Sequence, residues 1–180
     1  RPLPPRHAGT RHLAPVLAMI FFAVIVVEPL LLLGLGAWIT RKWAGVERDL
    51  LPMMIRYCYS LVPLGLGMWL AHYGFHLLTG LYTFIPVTQN ALAALGWPIF
   101  GEPQWRLVGL PLRVVQPFEF GFIVLGLFGS FTVAHRLAEQ DTSEHTWRAF
   151  LPWAVICVLL FTAAVWLITQ PMDMRATFLE

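Results

Sequence analysis

Two histidines, His72 and His76, stand one helical turn apart within a run of apolar residues. On a helix that spacing puts both imidazoles on one face. There they can share one metal ion or address one cofactor. The residues between them, Tyr73-Gly74-Phe75, exclude the zinc-protease pattern, which needs a glutamate after the first histidine. Gly74 would let a neighbouring helix or a cofactor come close. Two carboxylic acids, Glu28 and Glu119, also fall inside apolar runs. Ionisable groups in such surroundings are costly to keep, so each asks for a reason. With histidine, whose pKa lies near neutrality, they suit a proton relay. Met172 and Met174 follow the last apolar run. Thioether and imidazole together suit copper, so His72, His76, Met172 and Met174 form a candidate metal set.

The other histidines do not complete a bis-histidine haem. His7 and His12 precede the first apolar run, His145 falls in a short polar connection, and His135 lies at the opposite end of its segment. A haem bridging His72 or His76 to His135 would have to span roughly 20 Å at about 1.5 Å of rise per residue. A haem held by one of these histidines, or shared with another subunit, remains open, as does copper. Ser60 and Ser130 have no Asp–His companions, and no G-x-S-x-G or phosphate loop occurs. No catalytic residue is expected, and the chain reads as a non-catalytic or accessory subunit. The two cysteines, Cys58 and Cys157, both lie in apolar segments and read as buried, inert thiols. Without C-x-x-C, neither an iron–sulfur cluster nor a zinc ribbon fits within this chain.

The elements that must position these groups follow from composition. Of 180 residues, 58% are hydrophobic and 12% charged, where a soluble domain carries about 25% charged residues. So much apolar surface cannot be hidden from water at this size, and lipid removes the difficulty. The net charge of +2, without a basic run interleaved with aromatics, gives no footprint for nucleic acid. A spanning helix needs roughly 20 apolar residues. Four segments qualify: 13–39, 57–81, 118–137 and 150–169. The expected fold is therefore an all-α, polytopic membrane protein, a single membrane domain built as a four-transmembrane-helix bundle. The N-terminal apolar run is too long for a signal-peptide core. Because the chain opens on Arg1, a fragment, a processed chain and the ordered part of something longer are all compatible with it.

The connections differ in character. Loop 1 (40–56) is short and charged. Loop 3 (138–149) is short and polar, and Asp141 with Glu144 reads as a capping box for the fourth helix. Loop 2 (82–117) is long, apolar and rich in Pro, Gly and Trp. Thr88 and the stretch up to Gly96 read as a short capped helix lying at the membrane interface, where Trp97 and Trp105 fit an aromatic belt. Counted from the end joined by loops 1 and 3, Glu28 should lie roughly 16 Å deep, His72 roughly 22 Å, His76 roughly 28 Å and Glu119 roughly 27 Å at about 1.5 Å per residue. His76 and Glu119 would share a level, and Glu28 would reach His72 if the first two helices pack together. The glycines of helices 2 and 3 are expected to serve helix packing.

Arg41, Lys42, Arg48, Arg56, Arg136 and Arg148 flank loops 1 and 3 in half the length over which the other side carries an equal number. That density puts loops 1 and 3 on the cytoplasmic side of a bacterial inner membrane. Partners beyond lipid are expected to be other membrane subunits. The favoured function is an integral subunit of a respiratory or redox assembly, supporting a metal, haem or quinone site near the outer face or anchoring a catalytic partner. A small oligomeric ion- or proton-coupled transporter using Glu28 and His72, and a purely structural subunit, are the alternatives. The absence of an internal repeat disfavours the transporter.

Overall fold

The computed structural model describes residues 13–97, 100–107 and 109–170. Among these residues the secondary structure is entirely helical: α1 (Leu13–Phe22), α2 (Glu28–Ala44), α3 (Leu50–Cys58), α4 (Val62–Thr79), α5 (Phe84–Ala94), α6 (Leu112–Asp141) and α7 (Thr146–Thr169). A π turn (Ala23–Val27) joins α1 to α2, and a 3-10 turn (Tyr59–Leu61) joins α3 to α4. Four continuous stretches result, Leu13–Ala44, Leu50–Thr79, Leu112–Asp141 and Thr146–Thr169, each long and apolar enough to cross a membrane.

The irregular turns sit where prolines require them. Proline lacks an N–H, and its ring crowds the carbonyl four residues earlier. Before Pro29, the helix widens by one residue, so the Glu28 N–H bonds the Ala23 carbonyl five residues back. Before Pro63, the chain tightens into the 3-10 turn instead. The Leu64 N–H that follows is satisfied from outside its own helix, by the Ser130 hydroxyl at 3.0 Å.

The described residues form two compact units, one drawn from 13–59 and 135–156 and the other from 60–134 and 157–170. In the first, Tyr57 stacks on Trp153 with centroids 4.6 Å apart and planes 9° from parallel. The Trp153 indole N–H donates to Thr40 Oγ1 at 3.0 Å, and that hydroxyl donates to the Gly36 carbonyl at 2.9 Å. The indole and hydroxyl donors of Trp153 and Thr40 thus both have acceptors in this apolar core. By contrast, every residue from Leu13 to Leu31 is exposed.

In the second unit, Leu64, Ala71, Ile123, Ala164 and Ile168 form the core, with Met68, Phe122 and Leu160 packed against it. Here α4 and α6 cross at backbone distance. A Cβ added to Gly67 would lie 2.5 Å from the Phe122 carbonyl oxygen, and one added to Gly126 would lie 2.7 Å from that of Pro63. Gly65 and Gly121 face open space. The packing role expected of the glycines therefore holds for Gly67 and Gly126 and not for Gly65 and Gly121.

Several local expectations are corrected. The second long helix begins at Leu50 and the third covers Leu112–Asp141, so both extend beyond the apolar runs 57–81 and 118–137 at the loop 1 and loop 3 ends. Helix α5 starts at Phe84, ahead of Thr88. Pro86 falls in its first turn, where no N–H partner is needed, and the Thr88 hydroxyl donates back to the Phe84 carbonyl at 2.7 Å instead of capping. Asp141 does not open the fourth helix: it is the last residue of α6, and its carboxylate is held by Arg48. The Thr142 hydroxyl accepts the His145 N–H at 3.3 Å ahead of α7. Cys157 is buried as expected, but Cys58 is exposed, because its neighbour Tyr57 takes the inward position on α3.

Gly126→Val is expected to destabilise the detergent-solubilised protein by about 1–3 kcal/mol, the usual cost of overpacking. Gly65→Ala should be neutral or slightly stabilising, since alanine is the better helix former. Equal melting shifts for the two variants would show that the α4–α6 approach is looser than described.

Candidate functional site

The orientation of α4 follows from the packing of its small residues. Leu64, Gly67, Ala71 and Phe75 recur at helical spacing and face inward. The opposite stripe, Val62, Leu66, Trp69, Tyr73 and Leu77, is exposed. His72 and His76 belong to this outward side. Their rings touch edge to face, centroids 4.8 Å apart and planes at 83°. Aromatic contacts extend the row in both directions: Tyr73 meets His72 at 5.3 Å and Trp69 at 4.6 Å, while Phe75 meets His76 at 5.3 Å. The structure thus brings the two imidazoles together on an outward surface of otherwise apolar and aromatic groups.

Two imidazoles are half of a tetrahedral ligand set. Among the described residues, no cluster of three or more His, Cys, Asp or Glu side chains is placed to hold a metal ion. Met172 and Met174 lie outside the described residues. A metal on His72 and His76 would therefore need further ligands from elsewhere.

Glu119, on α6, is 2% exposed, whereas His76 is exposed. Glu28 lies in the first compact unit and is exposed. It sits in a shallow apolar groove lined by Val24, Val27, Leu31 and Leu35 of its own helix. His135 pairs with Glu139, Nδ1 to Oε1 at 3.5 Å, and packs edge-on against Trp147 and Phe150.

One polar cluster escaped the sequence reading. The Asp141 carboxylate, fully buried, is 3.1 Å from Arg48 Nη2 and 3.2 Å from Arg56 Nε. Arg56 also donates to Gln140 Oε1, and Tyr57 lies beside the carboxylate. Loop 1, α3 and the end of α6 are clasped together by this one acid. The available signal was its position. An aspartate at a helix C-terminus opposes the helix dipole, so it needs cations nearby, and the two arginines of the preceding hairpin supply them.

Asp141→Ala would leave two arginines facing each other without a counter-charge. Removing one partner of a fully buried pair costs about 3–5 kcal/mol. Arg48 and Arg56 keep side-chain exposures of 42% and 28%, so about 1–3 kcal/mol is expected here. Thermal melting in detergent checks this, and an unchanged midpoint would show that the clasp contributes nothing to stability. In comparisons with known proteins, no family model, no curated protein and no solved structure matches this chain.

Proposed function

We propose that this chain is a multi-pass membrane subunit of a redox assembly, and that it presents His72 and His76 to a cofactor at the edge of its own fold. Four long apolar helices support the membrane setting, because most of their large side chains are exposed and lipid is the solvent that tolerates this. The observation that carries the functional reading is the imidazole pair, paired ring to ring yet turned outward. Two polar groups on an apolar exposed surface ask for a ligand or a partner. The half-complete ligand set fits a subunit that contributes part of a site and leaves the rest to its neighbours. A quinone, a haem and a metal are the cofactors considered.

The native complex, purified in mild detergent from wild type and from a His72→Ala/His76→Ala double variant, tests this. Quinone, haem and metal are quantified per chain. One of the three should be present near one per chain and fall about tenfold in the variant. A complex that contains none of them, or whose content ignores the substitutions, overturns the reading in favour of a structural subunit.

The proposed sidedness places loops 1 and 3 in the cytoplasm. Ser143, exposed in loop 3, provides the reporter. In a Cys58→Ala/Cys157→Ala background, Ser143→Cys should react with an impermeant maleimide in inside-out vesicles and not in spheroplasts. The reverse pattern inverts the topology.

A further inference from the structure

We infer that the exposed face of α4 binds the head group of a lipid-soluble quinone; this deepens the cofactor reading above and rests on it. Three features of one helix meet the needs of such a ligand. A quinone ring needs an aromatic face to stack on, and Trp69 and Tyr73 present two exposed rings 4.6 Å apart, tilted by 41° to one another. Its carbonyl oxygens need hydrogen-bond donors, and each neutral imidazole of His72 and His76 offers one N–H. The second nitrogen of each ring accepts, so the same pair can hold the hydroxyl form of the head group. An isoprenoid tail needs a continuous apolar track, which Val62 and Leu66 provide on the same exposed stripe as Trp69 and Tyr73.

Position along the helix agrees. α4 ends at Thr79, so His76 lies roughly 5 Å and His72 roughly 10 Å from its end at about 1.5 Å per residue. A head group there sits at the border of the hydrocarbon, where protons can exchange with water, while its tail stays among lipid chains. The other cofactors fit less well. A haem takes axial ligands on opposite faces of its iron, which two histidines one turn apart on one helix cannot both supply. A metal needs ligands beyond the pair, and no cluster among the described residues provides them. The quinone alone uses only groups that α4 already carries.

The full chain in nanodiscs of synthetic phosphatidylcholine, free of endogenous quinone, is titrated with ubiquinone-2 and separately with menaquinone-2. Binding is read by ¹⁵N resonances of selectively labelled histidine rings. At least one of the two quinones should saturate near one per chain and move two histidine signals, those absent from His72→Ala/His76→Ala. That variant should bind at least about tenfold more weakly. His72→Gln/His76→Gln keeps an N–H donor at each position and should stay within about threefold of wild type. This second variant keeps the test decisive if the alanine form misfolds. Non-saturating partition of both quinones, or saturable binding indifferent to all four substitutions, overturns the inference. Zinc and copper are titrated in parallel. A metal that saturates at these histidines where neither quinone does removes the quinone and leaves the cofactor reading standing. No binding of any probe at the pair, with a native complex equally empty, removes both.

Discussion

The rotation of α4 about its own axis decides what this protein can offer to a ligand, and one close backbone crossing sets it. Pro63 removes a donor and forces a 3-10 turn ahead of the helix. The next amide, that of Leu64, then finds the Ser130 hydroxyl on α6. That bond can form only because Gly67 and Gly126 let the two backbones touch. With Leu64, Gly67 and Ala71 committed to α6 and the core, helical periodicity leaves Trp69, His72, Tyr73 and His76 on the other side. The imidazoles face outward because a proline, a serine and two glycines fix which way inward is.

How much of this was legible in the sequence depends on whether the controlling contact was local. The four long apolar helices were legible, because the demand for about 20 apolar residues is a property of each segment alone. Their ends were less so. Arg56 reads as a boundary when counted as a bare charge, yet the helix passes through it from Leu50. Its guanidinium is paired with Asp141, a partner more than eighty residues along the chain that no local pattern reveals. The same pairing undoes the capping box, since a carboxylate held by two arginines is not free to cap a helix. Thr88 failed as a start signal for a related reason: Pro86 already suited the first turn, and a threonine hydroxyl can bond the carbonyl four residues back just as well.

The site divides along the same line. That His72 and His76 share a face follows from spacing and is met by rings 4.8 Å apart. Whether that face points in or out depends on tertiary packing, and so does the burial of Glu119 where His76 is exposed. Depth counting along helices ranks residues by level but says nothing about their rotation. Shared level is therefore a necessary condition for a contact and a weak one.

Glu28 and Asp141 show what a carboxyl group in an apolar chain demands. The Asp141 side chain is fully buried in good company, with a guanidinium nitrogen near 3 Å on two sides. Glu28 has only aliphatic neighbours along its groove, on a stretch from Leu13 to Leu31 in which every residue is exposed. In the proposed bilayer, a carboxyl group at mid-helix is costly to keep without a partner. The π turn and Pro29 beside it do not answer that need, because the Glu28 N–H is already bonded to the Ala23 carbonyl. Backbone strain and side-chain charge are thus separate problems at this position, and the fold solves the first within the helix itself. The second calls for a hydrogen-bond donor from outside the helix.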